Sequence, residues 1–317
     1  MSAVPTASVS PQSSSPRTEP RLTVAVVGLG GIGGGAAGSL GALGRHDVIL
    51  CARRPITRFR LERPEGAVEL PLSALTDPAQ AKPVDWVLLC TKAHQTASAA
   101  AWLARLCTPS TRVAVLQNGV NQVAGVAPLA GGATVLPVLV YYNGERLAPD
   151  HTWLRHAGNY DLAVADDADG RAFTQLFEGA PLRILLSDDF RTLAWRKLLL
   201  NAVANPLTAL TLQRQAVLHR PDMLELGRAI LDEAVAAGRA DGARLAADES
   251  ARTIAALLTY SGELGTSMYF DRLAGRKLEV EALTGAIVAA ADRHGVPVPL
   301  NRALLTLLRA VNDAAEK

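Results

Sequence analysis

The sequence predicts an α/β fold in two parts, a doubly wound parallel sheet followed by an all-helical domain. Three observations carry that reading. Short apolar, β-branched runs alternate with helical stretches from Leu22 to about Tyr142, the pattern of βαβ units. A glycine cluster, Gly28-Leu29-Gly30-Gly31-Ile32-Gly33, stands directly after the first run. Beyond Ser187 the strand signal stops, and apolar residues recur at helical spacing.

Taken in order, Leu22 to Gly28 is the first buried strand and Gly30 to Leu43 the first helix. Asp47 to Ala52, Asp85 to Thr91 and Arg112 to Gln117 read as further central strands. An Ala-rich helix, about Ala97 to Leu106, separates the last two. Thr134 to Tyr142 is a further strand, Asn143-Gly144 a turn, and the stretch to about Leu186 a β-rich edge of the same domain. Helices are then expected over Asp188 to Leu212, Met223 to Ala246, Ser250 to Tyr260, Arg276 to Arg293 and Asn301 to Val311. Gly242, Gly275 and Gly295 fall where helices would end. Pro206 lacks an N–H and is expected to kink or break its helix. The expected divisions are a disordered Ser/Pro/Thr-rich tail over 1–20, a nucleotide-binding Rossmann-type domain over 21–187 and a helical substrate and catalytic domain over 188–317.

Composition narrows the function classes. The 317 residues are 49% hydrophobic and 20% charged, which excludes global disorder and suits two domains. A formal net charge of +2 provides no footprint for nucleic acid or an anionic membrane surface. No run approaches the ~18 apolar residues that a membrane span requires. Three cysteines without a CxxC pair argue against a disulfide framework or a zinc ribbon and point to a reducing, cytoplasmic setting. The six histidines show no HExxH or HxxxH spacing, so no metal is expected, and no GxSxG elbow marks a serine hydrolase. Only five of the 32 basic residues are lysines, which makes each lysine worth a question.

Gly28, Gly30 and Gly33 form a GxGxxG motif between a strand and a helix, the context of a dinucleotide fingerprint. Gly28 permits the tight turn, Gly30 lets the backbone approach a pyrophosphate, and Gly33 lets the helix pack against the strand. The helix N-terminus adds amide donors. The second strand ends Cys51-Ala52-Arg53-Arg54, with no acid to receive a ribose hydroxyl. A guanidinium pairs with a 2′-phosphate, so Arg53 favours NADPH over NADH.

Lys197, Asn201 and Asn205 are spaced i, i+4, i+8 and share one face of a helix that is otherwise apolar nearly all round. Polar groups there need partners or water, which suits a wet cleft or an internal hydrogen-bond network. Lys92 and Asn118 follow strands, where a doubly wound sheet presents groups to its ligand. Ser267 and Glu279 are the remaining candidates, with Glu279 expected in the first turn of a helix that starts after Gly275.

From about Leu22 to Leu308 the chain resembles the ketopantoate reductase (2-dehydropantoate 2-reductase) family. The resemblance rests on the glycine loop, Thr91-Lys92-Ala93-x-Gln95-Thr96, Gln117-Asn118-Gly119, Arg196-Lys197 with Asn201 and Asn205-Pro206-Leu207-Thr208, and Ser267-Met268 with Asp271, Gly275-Arg276 and Glu279. It implies NADPH-dependent reduction of a 2-oxo acid, with Lys197 as general acid at the carbonyl. It also implies Glu279 on a substrate hydroxyl and positioning Lys197, with Asn201, Asn205 and Ser267 holding substrate. Lys92 and Asn118 would contact cofactor or substrate near the nicotinamide, and Arg53 would take the 2′-phosphate. A small-molecule 2-oxo acid is then the expected partner, in pantothenate biosynthesis, with a homodimer as an open expectation. A mild preference for the acidic side of neutral follows, because the reaction consumes a proton.

The chain departs from the family pattern at four places. His94 stands where a bulky aromatic is common, and Leu264 where an amide occurs. Thr284 replaces an amide, and Tyr141-Tyr142-Asn143-Gly144 replaces a Thr-His-Gly-Ala type of segment. Two other readings follow. One is a reductase of the same fold acting on a different 2-oxo acid or ketone. The other is an NADPH-sensing protein without turnover, which would not need Lys197 and Glu279 together.

Overall fold

Successive side chains of a strand leave on opposite faces, and the first strand shows what that decides. Val24 and Val26 enter the core on one face of the sheet, while Ala25 and Val27 enter the core on the other. The computed structural model describes residues 21–315, so the expected tail over 1–20 lies outside the described residues. Along the chain the strands are β1 (Thr23–Val27), β2 (Asp47–Cys51), β3 (Phe59–Arg63), β4 (Gly66–Leu70), β5 (Ala74–Leu75), β6 (Trp86–Leu89) and β7 (Arg112–Val115). They continue with β8 (Thr134–Pro137), β9 (Leu139–Val140), β10 (Asn143–Ala148), β11 (His151–Arg155), β12 (Leu162–Ala165) and β13 (Ile184–Ser187). The helices of the first part are α1 (Gly31–Leu43), α2 (Ala100–Leu106), α3 (Gln122–Val126) and α4 (Ala168–Leu176). Those of the second are α5 (Phe190–Thr211), α6 (Pro221–Ala240), α7 (Glu249–Leu258), α8 (Ser267–Leu273), α9 (Thr284–His294) and α10 (Pro299–Ala315).

The central sheet runs β5-β2-β1-β6-β7-β8, parallel throughout. Its order reverses between β1 and β6, so the carboxyl ends of those strands flank the crevice where such sheets take ligands. The part after Ser187 is helical, with α5 packed against α6, α7 and α8 around a core that includes Trp195, Leu199, Ile230 and Ile287. No helix among the described residues is long and apolar enough to cross a membrane.

Four expectations are corrected. Asn143-Gly144 is not a turn: both residues belong to β10, which pairs antiparallel with β11. Gly144 is there for close approach, since a Cβ on it would lie 2.2 Å from Gly31 O, and one on Gly31 would lie 1.9 Å from Gly144 O. Thr134 to Tyr142 is not one strand either: it divides into β8, in the central sheet, and β9, in a three-stranded sheet, β13-β12-β9. The stretch from Asn143 to Leu186 is β-rich as expected, and supplies strands to that sheet and to a four-stranded one, β10-β11-β3-β4. Third, α5 runs unbroken through Pro206 to Thr211. The hydroxyls of Thr208 and Thr211 donate to Ala204 O and Leu207 O, and Arg272 donates to Leu210 O, so the backbone around the proline is braced from side chains. Fourth, Glu279 is not in a first helical turn, because α9 starts only at Thr284.

The glycines of α1 have a packing reason of their own. Gly31, Gly34, Gly35 and Gly38 face the four-stranded sheet, and a Cβ on Gly34 would lie 2.0 Å from Thr152 Oγ1 and one on Gly38 2.8 Å from Leu61 Cβ. The helix backbone lies directly on the sheet.

Candidate active site

The site is assembled from three connections. The first is the turn after β6. Gly28 has φ +99°, and a Cβ there would lie 2.7 Å from Thr91 N, so the glycine loop lies against the Thr91-Lys92 turn. The second is the turn after β7, where Gly119 has φ +110° and comes close to Ala282 O. That approach brings Asn118 up to the α8–α9 connection, which is the third piece and carries Glu279.

Glu279 is buried, and both of its carboxylate oxygens accept hydrogen bonds. Oε2 accepts from Lys92 Nζ at 3.0 Å and from Asn118 Nδ2 at 3.0 Å, while Oε1 accepts from Ala93 N at 3.3 Å. Lys92 Nζ also donates to Asp271 Oδ2 at 3.1 Å, and Asp271 Oδ1 accepts from Arg276 Nε at 2.9 Å. Burial works against the Lys92 ammonium, but the Glu279 and Asp271 carboxylates outweigh it and hold its pKa above the usual value. His94, beside Lys92, is held below the usual imidazole range, first by burial, with Glu279 opposing and Lys92 adding to the effect.

Lys197 projects from α5 toward the same point. Its Nζ donates to Asn118 Oδ1 at 3.4 Å, so Asn118 links the amine to Glu279. Burial pulls the Lys197 pKa down to about 8, and the Glu279 charge resists that fall. An amine of that kind is mostly charged at neutral pH yet gives up its proton readily.

The i, i+4, i+8 stripe is real, but its lower half is occupied by the protein. Asn205 Nδ2 donates to Asn201 Oδ1 at 2.9 Å, and Asn205 Oδ1 accepts from Met268 N at 3.1 Å and from the Ser267 hydroxyl at 3.3 Å. Asn205 therefore caps the first turn of α8, while Lys197 and Asn201 stand nearer the cleft. Asp271 was not assigned a role from sequence, although it lies in a segment already singled out. Its signal is a buried acid five residues before the arginine that it pairs with. Among the departures, Leu264 is partly exposed and its carbonyl accepts from Gln215 N, while the buried Thr284 Oγ1 has no hydrogen-bond partner among the described residues.

The glycine loop fits a dinucleotide. Gly30 caps α1 at φ −85°, open to any residue, and a Cβ there would meet nothing within 4 Å. Packing does not require glycine at this position, whereas a phosphate lying on the helix N-terminus does. Gly33 differs, for its Cβ would lie 1.9 Å from Gly28 O. Gly31, as shown above, is required by Gly144, and Leu29 and Ile32 pack with the core under the sheet. Arg53 is exposed just past the end of β2.

Two family models match the chain, ketopantoate reductase PanE/ApbA over residues 24–167 and ketopantoate reductase PanE/ApbA C terminal over residues 189–312. A 2-dehydropantoate 2-reductase of Caulobacter vibrioides is 36% identical over 91% of this chain and 98% of its own length. One of Mycobacterium tuberculosis is 37% identical over 92% of this chain and 98% of its own. Among solved structures, a PanE/ApbA family ketopantoate reductase from Ralstonia eutropha is 32% identical with a TM-score of 0.84, covering 93% of this chain and all of its own. A dimeric ketopantoate reductase from Staphylococcus aureus is 26% identical with a TM-score of 0.82 at the same coverages.

Proposed function

Because the chain belongs to the ketopantoate reductase family, we propose that it reduces 2-dehydropantoate (ketopantoate) to pantoate with NADPH, using Lys197 as general acid. The observation that carries the reading is the chain of contacts from Lys197 through Asn118 to Glu279, at the carboxyl edge of the sheet and beside the glycine loop.

Each group has a task in that scheme. Gly28, Gly30 and the α1 N-terminus would hold NADPH, with Arg53 on its 2′-phosphate, and the bound nucleotide would supply the hydride. Lys197 stands over the carbonyl oxygen, where negative charge develops as the carbon is reduced, and delivers its proton there. Asn118 holds the amine by one amide oxygen and Glu279 by its amide nitrogen, so the two are positioned as a unit. Glu279 receives a substrate hydroxyl, while Asn201 and Ser267 contribute polar contacts nearer α8. Lys92, tied to Glu279 and Asp271, keeps the Glu279 carboxylate in place at the edge of the site. We carry over a homodimer as well, from the dimeric relative.

A different 2-oxo acid is the second reading, favoured by the aromatic Tyr141 beside Lys197 where the family usually has a smaller residue. The experiment is consumption of NADPH or NADH with ketopantoate and a panel of other 2-oxo acids, with a Lys197→Ala control. Turnover of ketopantoate with NADPH, reduced about 10²–10⁴-fold in the variant, supports the reading. Turnover of another acid instead favours the second. NADPH binding with no turnover of any acid would favour a sensing protein.

A further inference from the structure

Tyr141 and Tyr142 follow β9 and reach two parts of the site from adjacent positions. Both amides donate to Asp161 O, at 2.7 and 3.2 Å, which pins the dipeptide beside β12. The Tyr142 hydroxyl donates to Ile32 O at 2.5 Å, and its ring lies where a Cβ on Gly35 would come within 2.9 Å. The Tyr141 ring turns the other way, with its centroid 5.5 Å from Lys197 Nζ. Tyr160 meets it edge-on, with centroids 4.8 Å apart and planes at 84°.

An aromatic face attracts an ammonium, and more strongly where water is thinned out. We propose that Tyr141 is a positioning residue for Lys197: its ring, braced by Tyr160, holds the amine charged and turned toward Asn118. The proposal deepens the general-acid reading of Lys197 and rests on it. The groups facing Lys197 are Glu279 from the α8–α9 connection, Asn118 from the end of β7, and this tyrosine pair. Lys92 and Asp271 act on it through Glu279, and the neighbouring Arg196 is turned away to Glu249, Nε to Oε1 2.8 Å. Tyr141 is not itself the proton donor's rival. Burial, and then Tyr160, push its phenol far upward, so it stays neutral and acts through the ring face.

The test reads the amine without turnover. The full chain, without cofactor or substrate, is treated with an N-hydroxysuccinimide ester across pH, and acylation of Lys197 is followed by mass spectrometry. Tyr141→Leu is expected to move the Lys197 profile about half to one pH unit downward, raising labelling at neutral pH about 3–10-fold. Tyr141→Phe keeps the face and is expected to retain the parent profile. A Leu profile equal to the parent's overturns the proposal, as does a Phe profile shifted as far as Leu's. If Tyr141→Leu does not fold, Tyr160→Leu decides in its place: a smaller shift the same way supports the brace, and no shift overturns it. Labelling reports on the amine alone, whereas Lys197→Ala reports on turnover alone, so failure of this proposal and failure of the general-acid reading are distinguishable.

Discussion

Lys92 Nζ donates to Glu279 Oε2 at 3.0 Å across 187 positions of the chain, joining the central sheet to the helical part. One carboxylate oxygen thus serves a lysine and, through Asn118, stands one amide away from a second lysine. The two amines have opposite fates. Lys92, with two carboxylates, is held more basic than usual, and Lys197, buried and with no direct acid partner, less so.

That contrast fixes the pH dependence of the reduction. On the proposed role, the proton donor is the charged Lys197 amine, present below its pKa of about 8. The rate constant for reduction is expected to be flat below neutral pH and to fall tenfold per unit above about 8. A kcat profile that rises through the alkaline range would remove Lys197 as the acid.

Glu279→Gln removes the negative charge that holds the Lys197 pKa up. The alkaline limb of the kcat profile should then move to lower pH, and kcat at pH 8 should fall about 10-fold or more. KM should rise too, since the amide also alters the hydroxyl contact. An alkaline limb that stays where it was would mean that the two groups are not electrostatically linked.

Lys197 is also expected to cost stability. Its folded pKa is depressed from 10.5 to about 8, so the penalty is present in full below about pH 8 and disappears as pH rises toward 10.5. Lys197→Met, inactive, should be about 1–3 kcal/mol more stable at neutral pH, with the gain shrinking in alkaline buffer. Urea denaturation at two pH values measures it; a variant less stable at both would contradict the burial argument.

Gly30 and Gly31 should separate binding from packing. Gly31→Ala drives a Cβ into Gly144 O and is expected to destabilise by about 1–3 kcal/mol. Gly30→Ala meets nothing within 4 Å, so it should leave the denaturation midpoint in place and weaken NADPH binding about 10-fold or more. Equal midpoints for the two variants would refute the assignment.

Arg53→Ala tests the nucleotide preference. Loss of a charge-assisted contact to the 2′-phosphate should raise KM for NADPH about 10–100-fold and leave NADH nearly unaffected. Equal losses with both cofactors would place Arg53 elsewhere.

The order of these parts is written in the chain by short-range physics. Runs such as Val24 to Val27, short, β-branched and apolar at every position, read as strands covered on both faces. The step from such a run into Gly28, Gly30 and Gly33 marks the phosphate loop, and the four-residue spacing of Lys197, Asn201 and Asn205 puts them on one helical face. Long-range pairing is what the sequence alone left open. The parallel pairing of β11 with β3 sets His151 opposite Arg60, and the antiparallel pairing of β10 with β11 makes Asn143-Gly144 a strand under α1 instead of a turn. Pro206 stays inside an unbroken helix, with the hydroxyls of Thr208 and Thr211 on the carbonyls of Ala204 and Leu207. Glu279 reaches Lys92 and Asn118 because Gly119 lets the β7 turn close onto Ala282. Periodicity and glycine spacing act within a few residues and are legible in one dimension. Contacts between residues far apart in the chain are set by how whole elements pack, and only the tertiary structure decides them.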